Sequence, residues 1–326
     1  MPCPCPDGAV PPLSDIPSFD PPPGRPERLA PAIPGQDLRR ILAPNPSPMT
    51  FRGTNTYLLG TKGIAVIDPG PDDDLHLSAI LSALGPEQHV SHILVTHAHR
   101  DHSPLARRIA AETGAPVLAY GDAGAGRSPV MAQLAADGMI GGGEGVDLEF
   151  APDILLKDRE VLRGDGWQIC ALWTPGHFGN HMCFAAGDAI FTGDLVMGWA
   201  SSLVSPPDGD AAHFVASCAR LKALGAAVLH PGHGAPVQDP SGRLNWLIHH
   251  RAAREAAIIA ALAHGPATAE ALAERIYTDT PAALMRAATR NVLAHLIDLT
   301  ARGEAVAQGP LHADAVFALP QGYGRG

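Results

Sequence analysis

The histidine-rich run at residues 96–102 constrains this chain more than any other part of its sequence. His97, His99, Asp101 and His102 place four potential metal ligands within six residues. They follow an apolar run that is typical of a buried strand ending in a polar loop. Imidazole and carboxylate ligands together suit zinc, iron or manganese better than magnesium or calcium. The sequence therefore predicts a metal site at the rim of a β-sheet.

Three later loops each present one more side chain that can bind a metal. Each loop follows a strand-like segment and contains glycine, whose backbone allows close approach of neighbouring groups. The three side chains are His177, Asp194 and His233. A histidine or aspartate in one loop is usually a solvated turn residue, but four motifs in this order indicate one shared site.

Composition restricts the partners that such a site can serve. The chain has 326 residues, a formal net charge of −10 and 46% hydrophobic residues. This size predicts one large domain with a sizeable core and a smaller second unit. The acidic balance provides no long-range basic field, so we expect a small-molecule substrate rather than RNA, and no DNA partner. No apolar run reaches the length of a membrane span, and we expect no membrane partner.

The amino terminus and the cysteines favour a cytoplasmic location. Residues 1–6 lack the basic start and the apolar stretch of a signal peptide. The five cysteines are scattered and do not suggest a disulfide framework. Cys3 and Cys5 could bind a metal ion together, but the preferred interpretation is that they are incidental thiols in a tail.

The sequence divides into three regions that differ in composition and in the pattern of predicted helices and strands. Residues 1–36 are dense in proline and predict an extended N-terminal arm, ordered only if it packs on the body. Residues 37–247 alternate strand-like and helix-like segments and predict an α/β domain that carries all four metal-binding motifs. Residues 248–326 predict three helices and a β-ribbon, which is the outline of a winged helix. From residue 249 onward, the sequence contains seven Arg, no Lys, and seven Asp and Glu taken together. This neutral charge balance favours a role as a lid or a homodimer contact over DNA binding.

Local patterns predict the individual elements. Segments 55–59 and 64–68 flank a Gly-containing turn and predict a hairpin. Ser103 is expected to cap the second of the predicted helices. Helices are expected at residues 72–84, 105–113, 210–224, 251–263, 268–276 and 282–302. Further strands are expected at residues 168–173, 181–186, 189–191 and 227–229.

The order of the metal-binding motifs resembles that of the metallo-β-lactamase superfamily. The resemblance covers residues 37–247 and implies a four-layer αβ/βα sandwich, with the metals at one edge between two β-sheets. It also implies two divalent metal ions, for which zinc is expected and iron or manganese is compatible. The implied ligands are His97, His99 and His177 for one ion, Asp101, His102 and His233 for the other, and Asp194 as a bridge.

Two such ions would support hydrolysis. Metals about 3.5–4 Å apart can acidify a shared water and yield a bridging hydroxide that attacks a carbonyl carbon or a phosphorus. A metal stabilises the developing oxyanion, and Asp101 is the expected catalytic residue that accepts a proton as the intermediate collapses. The preferred function is therefore a dinuclear hydrolase of an ester, thioester or lactone.

Particular branches of the superfamily provide the alternatives. Asp194 stands where antibiotic-hydrolysing members often carry Cys, and His99 stands where flavo-diiron oxidoreductases carry Glu. A narrower resemblance to the β-lactamase-like protein 2 group rests on residues 55–57, residues 174–177 and the winged-helix-like segment. That group includes single-strand endoribonucleases, so an endoribonuclease or phosphodiesterase is one alternative. A mononuclear iron sulfur dioxygenase is another.

Residues around the motifs are candidates for supporting roles. Asp68 is expected to orient a ligand histidine, with a plain hairpin end as its alternative. His181 either contacts a ligand or the substrate or is an ordinary buried histidine. Trp199 and Ser201 lie in a segment, residues 197–203, that is expected to form one wall of the pocket. Trp199 either stacks on the substrate or packs in the core. Ser201 either contacts a polar group of the substrate or is a solvated loop hydroxyl. Weaker candidates for substrate contacts are Ser202, Arg52, Arg100 and Arg127.

Overall fold

Two β-sheets form the centre of the molecule. The computed structural model describes residues 22–141 and 145–322, so Cys3 and Cys5 lie outside the described residues. The strands of the first sheet, in order across it, are β1 (Glu27–Arg28), β2 (Leu38–Leu42), β3 (Asn55–Leu59), β4 (Gly63–Ile67), β5 (His89–Leu94), β6 (Val117–Ala119) and β7 (Ile154–Leu155). Neighbours are antiparallel from β1 to β4 and parallel from β4 to β7.

The second sheet has five strands. They are β8 (Val161–Arg163), β9 (Gln168–Trp173), β10 (Met182–Ala186), β11 (Ala189–Gly193) and β12 (Val228–Pro231). The spatial order is β12-β11-β10-β9-β8, and only β11 and β12 pair in parallel. Because parallel strands end at the same edge of a sheet, the loops after β11 and β12 lie side by side.

Helices cover the outer faces of both sheets. The described α-helices are α1 (Asp74–Ser82), α2 (Leu105–Thr113), α3 (Pro129–Ala136), α4 (Ala211–Leu224), α5 (Pro240–Leu262), α6 (Ala269–Ile276) and α7 (Met285–Ala301). Residues Ala282–Leu284 form a 3₁₀ turn before α7. Among the described residues, no helix is both long and apolar enough to cross a lipid bilayer.

The alternation of side chains along β3 shows how the layers form. Tyr57 and Leu59 pack in the core between the two sheets, whereas Leu58 packs in the core under α1 and α2. Successive side chains of a strand point to opposite faces, and because both faces are covered, this strand is apolar on both sides. On the other side, Phe214 of α4 and Leu244 of α5 pack on the second sheet. These four layers confirm the predicted αβ/βα sandwich.

The C-terminal helices form a hydrophobic core of their own, to which helix α3 of the first domain also contributes. A three-stranded sheet, of order β13-β15-β14, joins α5, α6 and α7 there; its strands are β13 (Ala267–Thr268), β14 (Val306–Gln308) and β15 (Val316–Ala318). Met131 and Leu134 of α3 pack among these helices. The helices and ribbon confirm the winged-helix outline, and α3 attaches it to the body.

Three local predictions differ from the structure. Helix α5 begins at Pro240 rather than at residue 251, because the Asp239 side chain accepts a hydrogen bond from Gly242 N at 2.9 Å and caps it. Ser103 does not cap α2: its hydroxyl oxygen lies 2.9 Å from Asp147 Oδ2 and 3.1 Å from His99 O, and Pro104 occupies the cap position. Helix α3 was not predicted.

Candidate metal centre

The seven predicted ligands lie together at one edge of the two sheets. Four occupy the loop after β5, and the other three follow β9, β11 and β12 in turn. Backbone hydrogen bonds join these loops: Met182 N donates to Thr96 O, and Gly232 N donates to Gly193 O, each at 2.8 Å. All seven side chains are buried, so the fold holds the cluster rigidly between its two halves.

The first group contains three histidines and one aspartate. His97, His99, His177 and Asp194 offer ligand atoms within 4.8 Å of one another. His99 Nδ1 lies 2.9 Å from His97 Nε2 and 3.0 Å from His177 Nε2. Nitrogen ligands bound tetrahedrally to one zinc at about 2.0–2.1 Å stand about 3.3 Å apart. The spacing of this group therefore suits one ion.

The second group contains two aspartates and two histidines. Asp101, His102, Asp194 and His233 likewise offer ligand atoms within 4.8 Å of one another. His233 Nε2 lies 3.1 Å from Asp101 Oδ2 and 3.2 Å from Asp194 Oδ2. His102 Nε2 lies 3.4 Å from Asp194 Oδ1. Asp194 belongs to both groups, which is the position of a bridging carboxylate.

The two groups differ in their electrostatics. In the first, burial and neighbouring imidazoles lower the pKa of His97 well below its usual value and that of His99 to about 3. In the second, burial alone would lower the pKa of each histidine, but the carboxylates outweigh it. They raise the pKa of His102 well above its usual value and that of His233 to about 10. The first group thus offers neutral imidazoles, and in the second a metal ion would replace protons.

Two buried carboxylate oxygens test whether the site suits a metal. The Oδ1 atoms of Asp101 and Asp194 accept no hydrogen bond from any residue that the structure describes. A buried charged oxygen without a hydrogen bond is costly, even where an imidazole stands 3.4 Å away as at Asp194 Oδ1, and a metal-bound carboxylate avoids that cost. Together with five imidazoles, these oxygens form a donor set of the kind that binds zinc, iron or manganese. The residues present therefore fit metal ions.

Backbone carbonyls fix the orientation of two ligand histidines. His177 Nδ1 donates to Leu203 O at 2.7 Å, and His233 Nδ1 donates to Gly53 O at 3.1 Å. A carbonyl oxygen only accepts, so each Nδ1 carries its hydrogen and each Nε2 is left for the site.

Asp68 orients two further histidines. Its carboxylate accepts from His102 Nδ1 at 2.9 Å and from both the amide and the hydroxyl of Thr96 at 2.8 Å. Because the Thr96 hydroxyl donates to Asp68, its oxygen is left to accept from His97 Nδ1 at 2.9 Å. The sequence points to Asp68 but not to Thr96, although Thr96 stands directly before the motif.

A small pocket opens onto the two groups. Its lining residues are Met49, His99, Asp101, His177, Asp194, Met197, Leu203 and His233. The non-ligand side chains are all apolar. Met197 and Leu203 come from the segment predicted as a wall, whereas Met49 reaches the site through tertiary contacts that leave no local signal in the sequence.

Other candidates lie beside the site rather than in its groups. His181 is fully buried, and its Nδ1 lies 3.1 Å from the Thr174 hydroxyl. The Trp199 ring stacks on Phe51 with 4.9 Å between centroids. Ser201 is half-buried and does not line the pocket.

Ser202 and the three candidate arginines also lie outside the pocket lining. The Ser202 hydroxyl donates to a backbone carbonyl at 3.0 Å. Arg127 pairs with Asp208 at 2.7 Å, Arg100 donates to the Val146 carbonyl, and Arg52 lies over the ring of the preceding phenylalanine. These contacts give each arginine a structural role.

Comparison with known proteins identifies the two parts of the chain. The family model of the metallo-beta-lactamase superfamily matches residues 49–233, and that of the beta-lactamase associated winged helix domain matches residues 268–310. The lactamase-like protein nscB of Aspergillus fumigatus is 32% identical over 68% of this chain, which spans only 60% of that relative's length. A beta-lactamase-like protein 2 homolog of Caenorhabditis elegans is 30% identical over 82% of this chain and 83% of its own.

A further relative and a solved structure extend the comparison. The atrochrysone carboxyl ACP thioesterase of Aspergillus fumigatus is 28% identical over 79% of this chain and 81% of its own. The crystal structure of a metallo-beta-lactamase family protein from Thermus thermophilus is 26% identical, with a TM-score of 0.69, over 87% of this chain and 98% of its own. These matches confirm the resemblance read from the motifs. The chain belongs to the metallo-beta-lactamase superfamily and carries a beta-lactamase associated winged helix domain.

Proposed function

We propose that the chain is a dinuclear metal hydrolase that acts on an ester, thioester or lactone, with thioesters the first class to test. The observation that carries this proposal is the pair of His–Asp groups that share Asp194. A single ion held by His97, His99, His177 and Asp194 would leave Asp101, His102 and His233 without a metal to bind. The shared aspartate therefore favours two ions, with zinc the expected metal, over the mononuclear iron of a sulfur dioxygenase.

The chain's own residues supply positioning and a proton acceptor. Two bound ions would lower the pKa of a shared water and stabilise negative charge on the attacked group. Asp101 lines the pocket with its Oδ2 close to His233 and its Oδ1 without a hydrogen bond among the described residues. We assign Oδ1 as the atom that takes up a proton and returns it to the leaving group.

The lining of the pocket supports a carbonyl substrate. Met49, Met197 and Leu203 present apolar surface beside the ligands, and among the described residues no arginine or lysine lines the pocket. Burying an acyl chain against such a surface is favourable, whereas a phosphodiester backbone is recognised chiefly by cationic and hydrogen-bonding groups. One relative is named as an acyl carrier protein thioesterase, which supports the thioester class.

One surface feature favours the endoribonuclease as the second candidate. Helix α5 carries Arg243 over the Trp246 ring at 4.3 Å, with His250 stacked on the same ring at 4.8 Å. One turn later, Arg254 lies over Tyr277 at 4.5 Å. Basic and aromatic side chains in a row suit single-stranded nucleic acid; here the Trp246 and His250 rings already stack on each other.

The metal content of the purified protein is the first test. We expect two ions per chain, and their loss in Asp194→Ala but not in Asp188→Ala, an exposed aspartate in the preceding hairpin. The metal-loaded protein is then assayed with acyl thioesters, esters, lactones and single-stranded RNA. Turnover of a thioester that Asp101→Ala abolishes supports the proposal. RNA cleavage with no carbonyl turnover supports the second candidate, and one iron per chain with oxygen consumption on a persulfide supports the dioxygenase.

A further inference from the structure

The segment between β11 and α4 forms a wall of the metal site without any regular structure of its own. This site loop, residues 194–210, contains no helix or strand but provides Asp194 and the pocket residues Met197 and Leu203. A stretch of this length inside a compact domain must be ordered by tertiary contacts, because fixing each residue costs about 1–2 kcal/mol of conformational entropy.

The C-terminal helices provide those contacts. From α5, Arg243 donates to Met197 O at 2.7 Å and to Ala200 O at 2.6 Å. Arg251 donates to Ser202 O. From α7, Arg290 donates to the Ser205 hydroxyl at 2.9 Å. The carbonyls of the site loop are thus bound by side chains that follow it by some 40 residues or more.

One peptide group connects this support to a ligand. The Leu203 carbonyl accepts from His177 Nδ1 at 2.7 Å, and the Val204 N–H, in the same peptide group, donates to Asn291 Oδ1 at 3.0 Å. Asn291 Oδ1 also accepts from Arg251 at 2.8 Å. The peptide plane is therefore held at one end by His177 and at the other by Asn291.

Arg251 is a buried arginine whose charge is not balanced by a nearby carboxylate among the described residues. Its side chain is 3% exposed, lies 4.7 Å above the Phe214 ring, and donates hydrogen bonds to Asn291 Oδ1 and Ser202 O. Among the described residues, no carboxylate pairs with it. Burying a guanidinium without an acid is costly, and here it fixes the residue before Leu203 and the amide of Asn291.

We propose that Asn291, supported by Arg251, is a positioning residue for His177, so that the winged-helix unit completes the metal site from behind. This inference rests on the proposed function in that it takes His177 as a metal ligand. Groups that orient a ligand histidine typically change metal affinity about 10- to 100-fold when removed. The proposal assigns the C-terminal unit a role in the site itself.

The test measures zinc affinity by competition with a chelator, together with the visible spectrum of the cobalt-substituted protein. Asn291→Leu removes the acceptor and is expected to weaken the binding of one ion at least tenfold and to change the cobalt spectrum. Asn291→Asp keeps an acceptor for both Val204 and Arg251 and is expected to retain both properties. Thr289→Ala on the same helix, whose hydroxyl bonds only within α7, controls for lost helix stability.

The outcomes separate this inference from the proposed function. A wild-type protein that binds two ions, with Asn291→Leu folded and binding them equally well, overturns the inference alone. A wild-type protein that binds no metal overturns both. If Asn291→Leu does not fold, hydrogen exchange of the Val204 amide in the wild-type protein decides: slow exchange supports the inference, and exchange as fast as in an exposed loop overturns it.

Discussion

Asp68 Oδ2 lies 2.9 Å from His102 Nδ1, and this contact joins the end of β4 to the metal-binding loop after β5. The same carboxylate binds Thr96, which contacts His97. We predict that Asp68→Asn lowers zinc affinity about 10- to 100-fold, because in either orientation the amide sets its NH2 group against at least one hydrogen that the carboxylate accepts. Isothermal titration with zinc measures the effect.

The matched control for this substitution is Asp72→Asn. Asp72 lies four residues later, is exposed, and pairs with Arg108 on the surface. The control should bind zinc as the wild-type protein does. Equal affinity in both variants would contradict an orienting role for Asp68.

The absence of a side chain at Gly232 is a second requirement of the site. A Cβ there would lie 2.5 Å from Asp194 Oδ1 and 2.6 Å from His102 Cε1, and both atoms belong to the second ligand group. We predict that Gly232→Ala displaces these ligands and reduces bound zinc below two ions per chain. Gly85→Ala, where the nearest atom is 3.7 Å away, should leave the zinc content unchanged. Full occupancy in Gly232→Ala would show that the ligands can move aside.

The apolar wall of the pocket leads to a prediction about substrate length. Met197 lines the pocket with its side chain while its carbonyl is held by Arg243. We predict that Met197→Ala lowers kcat/KM for a long-chain acyl thioester about tenfold, since lost apolar contact of this size is worth about 1–3 kcal/mol. The acetyl thioester does not extend along the wall and serves as the control. Equal losses for both substrates would assign Met197 to loop packing instead.

His230 predicts a pH dependence of stability that is independent of the ligands. Its ring is 3% exposed, lies between Tyr57 and Phe191, and finds no hydrogen-bond partner for either nitrogen among the described residues. Burial, and then the charge of Arg40, lower its pKa to about 4. Between pH 6.5 and pH 4 the unfolded chain therefore binds a proton that the folded chain does not, and stability falls as the pH falls.

The size of this effect is open to measurement. A pKa difference of this kind corresponds to about 3 kcal/mol at most, and His230→Leu is expected to remove that part of the slope. Urea unfolding at pH 7, 6, 5 and 4 in excess chelator measures the slope. Phe191→Leu, which loosens the same cluster without removing a titrating group, should keep it. A variant slope identical to that of the wild type would contradict the prediction.

The sequence marks these side chains as candidate ligands because each of them follows a strand. His97, His177 and Asp194 all stand at the point where an apolar run gives way to glycine or polar residues, so the local pattern alone marks them. Asp68 is marked in the same way at the end of β4. The distances among these loops depend on the pairing of the strands, which local patterns do not specify.

The contacts behind the site could not be predicted in this way. Asn291 and Val204 are 87 residues apart, and nothing near either residue indicates the other. The sequence does not indicate the start of α5 for a different reason: Asp239 and Pro240 form a cap and first turn, but the apolar spacing becomes regular only later in the helix. Residue type predicts a capping role for Ser103, whereas its hydroxyl contacts His99 O within the metal-binding loop.

Each ligand group takes two members from the loop after β5 in the first sheet and two from loops of the second sheet. An ion held by either group would therefore act as a cross-link between the two halves of the sandwich. Chelation should then loosen the molecule along the plane between its sheets before it melts either half. Metal supply would in this way control the lifetime of the folded chain as well as its chemistry.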